Sequence, residues 1–169
     1  MIKIQAETKN DYQAIRDVNE LAFGQMDEAL LVEQLRQRDA FIPELSLVAR
    51  EGTLVVGHIL FFPVKIAGVR KQWDSLALAP MSVLPEYQNL GIGSMLVRKG
   101  IEKAADNGFT NINVLGHPRY YPRFGFVRAS LFTITSPFAA SDESVMVLEI
   151  RKNSLKNVKG IITYPPEYF

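Results

Sequence analysis

At 169 residues the chain is long enough to bury a core and short enough to form one domain, 1–169. With 47% hydrophobic and 22% charged residues it is not disordered by composition, and a net charge of +1 without a long Lys/Arg run gives no reason to expect nucleic acid as a partner. The lack of cysteine removes disulfides and protein thiolate chemistry, which suits the cytoplasm, and with no signal-like apolar start and no run of roughly 18 apolar residues a membrane partner is not expected either.

Taken in order, Ile2, Ile4 and Ala6 alternate with polar residues as a half-buried strand does. Asn10, with Gln13 at the capping-box position, is expected to start a helix carrying Tyr12, Ile15, Val18 and Ala22 on one face and ending at Gly24. A second helix is predicted over 27–38, with Leu31 and Leu35 on its buried side. Residues 45–50 and 54–64 read as antiparallel strands joined through Glu51-Gly52-Thr53, and a second hairpin is predicted around Ala67-Gly68-Val69-Arg70. The strand over 76–83 contains Pro80, which cannot donate to a ladder and so marks a bulge, an edge or a place where strands part.

A helix follows at once and ends at Asn107-Gly108, and a strand follows over 110–115. This strand-helix-strand passage is long enough for a right-handed parallel crossover, with Gly100 marking close packing of helix on sheet. Residues 119–124 predict a short helical turn. Residues 127–135 and 145–151 read as closing antiparallel strands joined by 136–144, and the tail to Phe169 reads as loop.

The stretch Gln88-Asn89-Leu90-Gly91-Ile92-Gly93-Ser94 joins the proline-marked strand to the helix. The first N–H groups of a helix have no partner inside it and carry the positive end of its dipole. Glycines at 91 and 93 let an anion such as a pyrophosphate approach them. A dinucleotide fingerprint fails, because position 96 is Leu and Asn111 stands where an acid is needed; a Walker loop fails for want of Gly-Lys-Ser/Thr. No metal-ligand spacing is present, and Ser82 and Ser94 have no paired histidine and acid.

Residues 83–94 resemble the pyrophosphate-binding motif of the GNAT superfamily of N-acetyltransferases, and Tyr120-Tyr121-Pro122-Arg123-Phe124-Gly125-Phe126 resembles the Tyr-x-x-x-Gly-Phe signature that follows it there. Leu115-Gly116-His117-Pro118 and Tyr164-Pro165-Pro166 are similar to the YhbS-like subgroup of bacterial predicted N-acetyltransferases. The resemblance implies an α/β fold with a mixed, mostly antiparallel sheet, two central parallel strands splayed apart and helices on both faces. It implies acetyl-CoA as acyl donor, held by Met81, Ser82, Val83, Gln88, Asn89, Leu90, Gly91, Ile92, Gly93 and Ser94, with no metal, and a backbone N–H near Met81 facing the carbonyl oxygen.

It also implies Tyr121 as the acid facing the thioester sulfur. A departing thiol with a pKa near 8.5 needs only a weak acid nearby. For a general base, His58, His117, Glu28 and Glu33 are candidates, His117 the better placed for a cleft; a core role is favoured for His58 and a solvated helix face for Glu28 and Glu33, and His117 also reads as a turn residue. The implied activity is acetyl transfer to a primary amine, in a small molecule or peptide, by direct attack in a ternary complex. A non-catalytic acyl-CoA-binding or protein-interaction module is the alternative, and a homodimer is left open.

Overall fold

The computed structural model describes residues 1–169, a mixed α/β chain with a mostly antiparallel, open sheet and three α-helices. By contacts it divides into two compact units, Met1–Phe62 with Ala79–Lys103, and Pro63–Leu78 with Ala104–Phe169. No helix is long and apolar enough to cross a membrane.

In the first unit, strand β1 (Ile2–Ala6) pairs antiparallel with β2 (Ser46–Glu51), and β2 with β3 (Leu54–Ala67), through the hairpin at Gly52 with its left-handed φ of 58°. Helix α1 (Tyr12–Phe23) ends on Gly24 in the left-handed conformation, as predicted, and buries Ile15 and Val18. Its start departs from expectation. The chain enters through a 3-10 turn, Lys9–Asp11, in which Asp11 Oδ2 accepts from the Thr8 N–H at 2.8 Å and the Thr8 hydroxyl at 3.0 Å. A carboxylate beside the first free amides is a stronger acceptor than a carboxamide, so Thr8 and Asp11 make the box; Gln13 donates instead to Asp17 at 2.8 Å.

Helix α2 (Asp27–Arg36) buries Ala29, Val32 and Leu35, so its inner face is rotated from the expected one and Leu31 is only half-buried. β3 is buried on both faces, which explains why it reads as a continuous apolar run. One face meets α1, where His58 approaches Asn19; the other meets helix α3 (Ile92–Asp106). A Cβ on Gly57 would lie 3.1 Å from Leu96 Cδ1, and one on Gly100 would lie 2.0 Å from Phe61 Cε2. Ile92, Leu96 and Gly100 form an i, i+4, i+8 stripe that only a residue without a side chain at 100 can seat this closely.

In the second unit, the parallel ladder predicted from the crossover runs between β4 (Gln72–Val83) and β5 (Asn111–Leu115), with Leu76, Ala77 and Leu78 opposite Ile112, Asn113 and Val114. It ends there, two residues before Pro80. β5 pairs antiparallel with β8 (Val145–Glu149). The expected continuous strand over 127–135 is broken: β6 (Val127–Arg128) pairs with β8, a 3-10 turn over Ala129–Phe132 follows, Thr133 takes a left-handed φ of 57°, and β7 (Ile134–Thr135) then pairs elsewhere. Its partner is β9 (Gly160–Thr163), in a tail expected to be loop, which also pairs antiparallel with β3 at Lys65–Ala67. Four residues are too few to show alternation; β9 is a strand because Ile162 closes an apolar core with Val64, Ile66, Ala77, Val147 and Leu155.

Candidate active site

In the first unit, the end of β4 and the start of α3 come together through backbone and side-chain bonds. Leu84 N–H donates to Val56 O at 2.8 Å, continuing the β3–β4 pairing to the end of the strand. A 3-10 turn over Pro85–Tyr87 follows, and the Gln88 carboxamide folds back to donate to Val83 O at 3.0 Å. The Tyr87 hydroxyl donates to Glu51 Oε2 at 2.6 Å, tying the turn to the β2–β3 hairpin. Neither fastening was foreseen, since both depend on partners that only folding brings near.

Asn89 and Gly91 both take left-handed backbone, φ 63° and 82°, which swings the chain into the helix. The first helical bond is Met95 N–H to Gly91 O at 3.1 Å. The amides of Ile92 and Gly93 therefore precede the ladder and have no carbonyl acceptor inside the helix. Ile92 is buried over Gly57 and anchors this turn, while Gln88, Asn89, Leu90 and Gly91 are exposed, and nothing lies within 4 Å of where a Gly91 Cβ would stand. An open start of helix of this kind fits a pyrophosphate. Met81 and Val83 are half-buried; Ser82 is buried and its hydroxyl lacks a partner.

Tyr121 lies in the second unit, on the predicted turn, now seen as a 3-10 helix over Tyr121–Phe124 that Gly125 ends at a φ of 100°. Its ring packs on Gly116, where a Cβ would come within 2.3 Å of Tyr121 Cε2, and meets Tyr120 and Phe126 edge-on at 5.1 and 5.6 Å. Burial, with Tyr120 adding to it, pushes the phenol well above its ordinary pKa. Tyr121 therefore keeps its proton through the neutral range and can donate it but cannot act as a base. Tyr120 is half-buried and stacks under the Arg123 guanidinium, 4.5 Å from its centroid.

The four candidate bases fare differently. His58 is fully buried: the Ser46 hydroxyl donates to Glu7 Oε2 at 2.6 Å, so its oxygen must accept from His58 Nε2–H at 2.9 Å. That fixes the tautomer, and Nδ1 faces the Asn19 carboxamide at 3.4 Å. Burial, helped by the Arg36 charge, pushes its pKa down to about 3. Glu7 Oε2 lies 3.8 Å from the ring, but Glu7 is already neutralised by Arg36, which binds both carboxylate oxygens at 2.8 and 3.1 Å. His58 is a core residue. His117 Nδ1 accepts from the Arg119 N–H at 3.1 Å and holds the turn before Tyr121. On α2, Glu28 accepts from the Gln25 side chain and Glu33 from Arg16 of α1, an ion pair between the two helices.

Comparison with known proteins gives a consistent result. The acetyltransferase (GNAT) family model matches residues 12–126. The chain is 44% identical over 118 residues to the uncharacterized N-acetyltransferase YjhQ of Escherichia coli K12, a match spanning 70% of this chain and 65% of YjhQ, a little less than two thirds of that relative. It is 30% identical over 162 residues to the uncharacterized N-acetyltransferase YhbS of the same strain, covering 95% of both. Among solved structures, E. coli YhbS in complex with CoA superposes with a TM-score of 0.91 at 27% identity, covering 99% of this chain and 91% of that one. A GNAT family acetyltransferase from Brucella melitensis in complex with acetyl-CoA gives a TM-score of 0.81 at 32% identity, covering 100% and 99%.

Proposed function

We propose that this chain, which belongs to the acetyltransferase (GNAT) family, moves an acetyl group from acetyl-CoA to a primary amine by direct attack in a ternary complex, as one catalytic domain of the cytoplasm. The observation that carries the reading is the start of α3, where the left-handed turn at Gly91 leaves the Ile92 and Gly93 amides open toward an anion. The CoA and acetyl-CoA held by the E. coli and Brucella relatives support it.

In this reading the loop from Gln88 to Ser94 binds the pyrophosphate through backbone amides and the helix dipole. Met81, Ser82 and Val83 line the coenzyme arm, and a backbone N–H near Met81 meets the carbonyl oxygen as charge develops on it. The acceptor nitrogen attacks as a free amine, its lone pair forming the new C–N bond while the C–S bond breaks. Tyr121 hands its proton to the departing sulfur, the acceptor nitrogen loses one of its own protons to solvent as the amide forms, and Tyr121 regains one from solvent. Its raised pKa keeps the phenol protonated at neutral pH, so the proton is in place when the C–S bond breaks. No cysteine is available for an acyl-enzyme thioester, which favours direct transfer.

Thiol release from acetyl-CoA over a panel of small amines, amino acids and peptides tests the reading, and a cysteine-free protein contributes no thiol background. Release with at least one amine, in proportion to acetylated product, is the expected result. Tight acetyl-CoA binding without release for any amine would leave the non-catalytic acyl-CoA-binding module as the better account.

A further inference from the structure

The second unit carries a groove of about 690 Å³ to which the proposed reaction gives no role. It lies between the β3–β4 hairpin and the start of β9, and its floor is built from backbone. Gly160, at φ 143°, sits so close under the hairpin that a Cβ would fall 2.0 Å from Ala67 O; a Cβ on Gly68 would fall 2.8 Å from Trp73 Cζ3. Two glycines thus bring the β9 chain, the hairpin and the indole into close contact. Trp73 packs its inner side on the apolar core, so its ring is fixed while another part of it lines the groove.

Around that ring the lining is apolar at the centre and cationic at the edge. Val69 is fully exposed and Ile161 51% exposed, and both border the same groove as Trp73, so the apolar surface there is contiguous. Arg70, Lys71 and Lys159 complete the lining, with Lys71 Nζ 5.0 Å from the centre of the Trp73 ring, and no carboxylate is among the lining residues. An apolar centre with tryptophan and arginine inside a charged rim is the anatomy of a protein interface. A nucleic acid would instead require a longer basic track than the three cations of this groove provide.

We infer that this groove docks an acidic peptide segment of a partner protein, which lays an apolar side chain on Trp73, Val69 and Ile161 and sets carboxylates against Arg70, Lys71 and Lys159. Charge complementarity selects the partner: three cations without a neutralising acid attract carboxylates and repel basic segments. The apolar floor requires an anchor that a simple anion lacks.

Trp73 is the only tryptophan, and its ring also borders the neighbouring pocket of Asn107, Thr110 and Arg151, so the R70E/K71E variant is what ties an emission change to this groove. The probe is a synthetic peptide with one Phe flanked by Glu residues, its amine blocked so that it cannot serve as an acceptor; the control replaces each Glu with Lys. Titration should change Trp73 emission saturably with the acidic peptide, less so as salt rises, and not with the control. The R70E/K71E variant should weaken binding about tenfold or more, and Val69→Ala should weaken it less, both leaving thiol release unchanged. Undiminished binding to R70E/K71E would overturn the assignment, as would an equal response to acetate or phosphate alone. Failure of the acidic peptide to move either Trp73 emission or the anisotropy of a labelled copy would do the same. If R70E/K71E instead abolished self-association of the protein, the groove would belong to a second copy and not to a foreign peptide. Loss of all acetyl transfer in the parent protein would refute the proposed function and leave this docking result untouched.

Discussion

The two units solve the problem of buried polar groups in opposite ways. The first buries an ionic chain that runs from Arg36 through Glu7 and Ser46 to His58 and Asn19, with Arg36 and Glu7 side chains only 6% and 2% exposed. The second relies on an apolar cluster around Ile66, Val147 and Ile162, and its interior polar contacts are neutral, such as Asn113 to the Ser75 hydroxyl at 2.9 Å. A buried charge pair adds little net stability over an apolar one, but it fails severely when one partner is lost. The chain joining α1, α2 and the sheet specifies their placement, at the cost of making the first unit sensitive to acid and to single substitutions.

The largest expected effect breaks that ionic chain. Glu7→Ala leaves the Arg36 guanidinium buried without its carboxylate and should cost about 3–5 kcal/mol in urea unfolding. A loss below about 1 kcal/mol would mean that Arg36 finds water or another partner, and the contrast between units would weaken. Tyr121→Phe removes only a hydroxyl from a ring held by packing. Turnover should fall about hundredfold, equivalent to about 2.7 kcal/mol of barrier, while the acetyl-CoA dissociation constant and stability hold. Equal turnover in both proteins would end the acid role.

The third effect is a pH dependence. The His58 pKa in the folded protein, pushed down to about 3, lies below the ordinary value of 6.5. Between these two values the unfolded chain binds a proton that the folded one refuses, so stability is lost as pH falls from 6.5 toward 3. The slope approaches about 1.4 kcal/mol per pH unit. His58→Gln should flatten the curve in that window; a curve unchanged by the substitution would mean that His58 is not the group responsible. Asp11 acts in the same direction at lower pH. Burial pulls its pKa upward, but the Thr8 hydrogen bonds and Arg50 outweigh that and hold it below the ordinary carboxylate value. The smallest effect belongs to the second unit: Tyr164→Phe deletes a hydroxyl that reaches Asn113 Oδ1 at 3.4 Å and also bonds Ser136, and should cost about 1 kcal/mol by thermal unfolding.

Much of the fold was legible because local rules govern it. Alternation marked β1, Gly24 and Gly108 marked helix ends, and Gly52 marked a hairpin, each through a periodicity or a left-handed φ that neighbours alone dictate. Where the reading went wrong, the deciding partner was distant. The tail strand β9 exists because β3 offers an edge almost a hundred residues away, in register Ile66 to Ile162. The break at Ala129–Phe132 divides one apolar run between β8 and β9. Tyr121 and the glycine loop were recognisable as motifs. The bonds that hold the loop, Gln88 to Val83 and Tyr87 to Glu51, were not, since their residue types are unremarkable on a surface.

By itself, then, the sequence determined the order and type of most elements, the placement of a glycine turn at a helix start, and the run Tyr-x-x-x-Gly-Phe that holds Tyr121. Those depend on backbone preferences and short-range spacing. Only the tertiary structure decided that His58 is a neutral core residue, that the Tyr121 ring is buried against Gly116, and that Trp73 lines a cationic groove. Burial and charge are properties of surroundings, and the surroundings of these residues are assembled from strands and helices far apart in the chain.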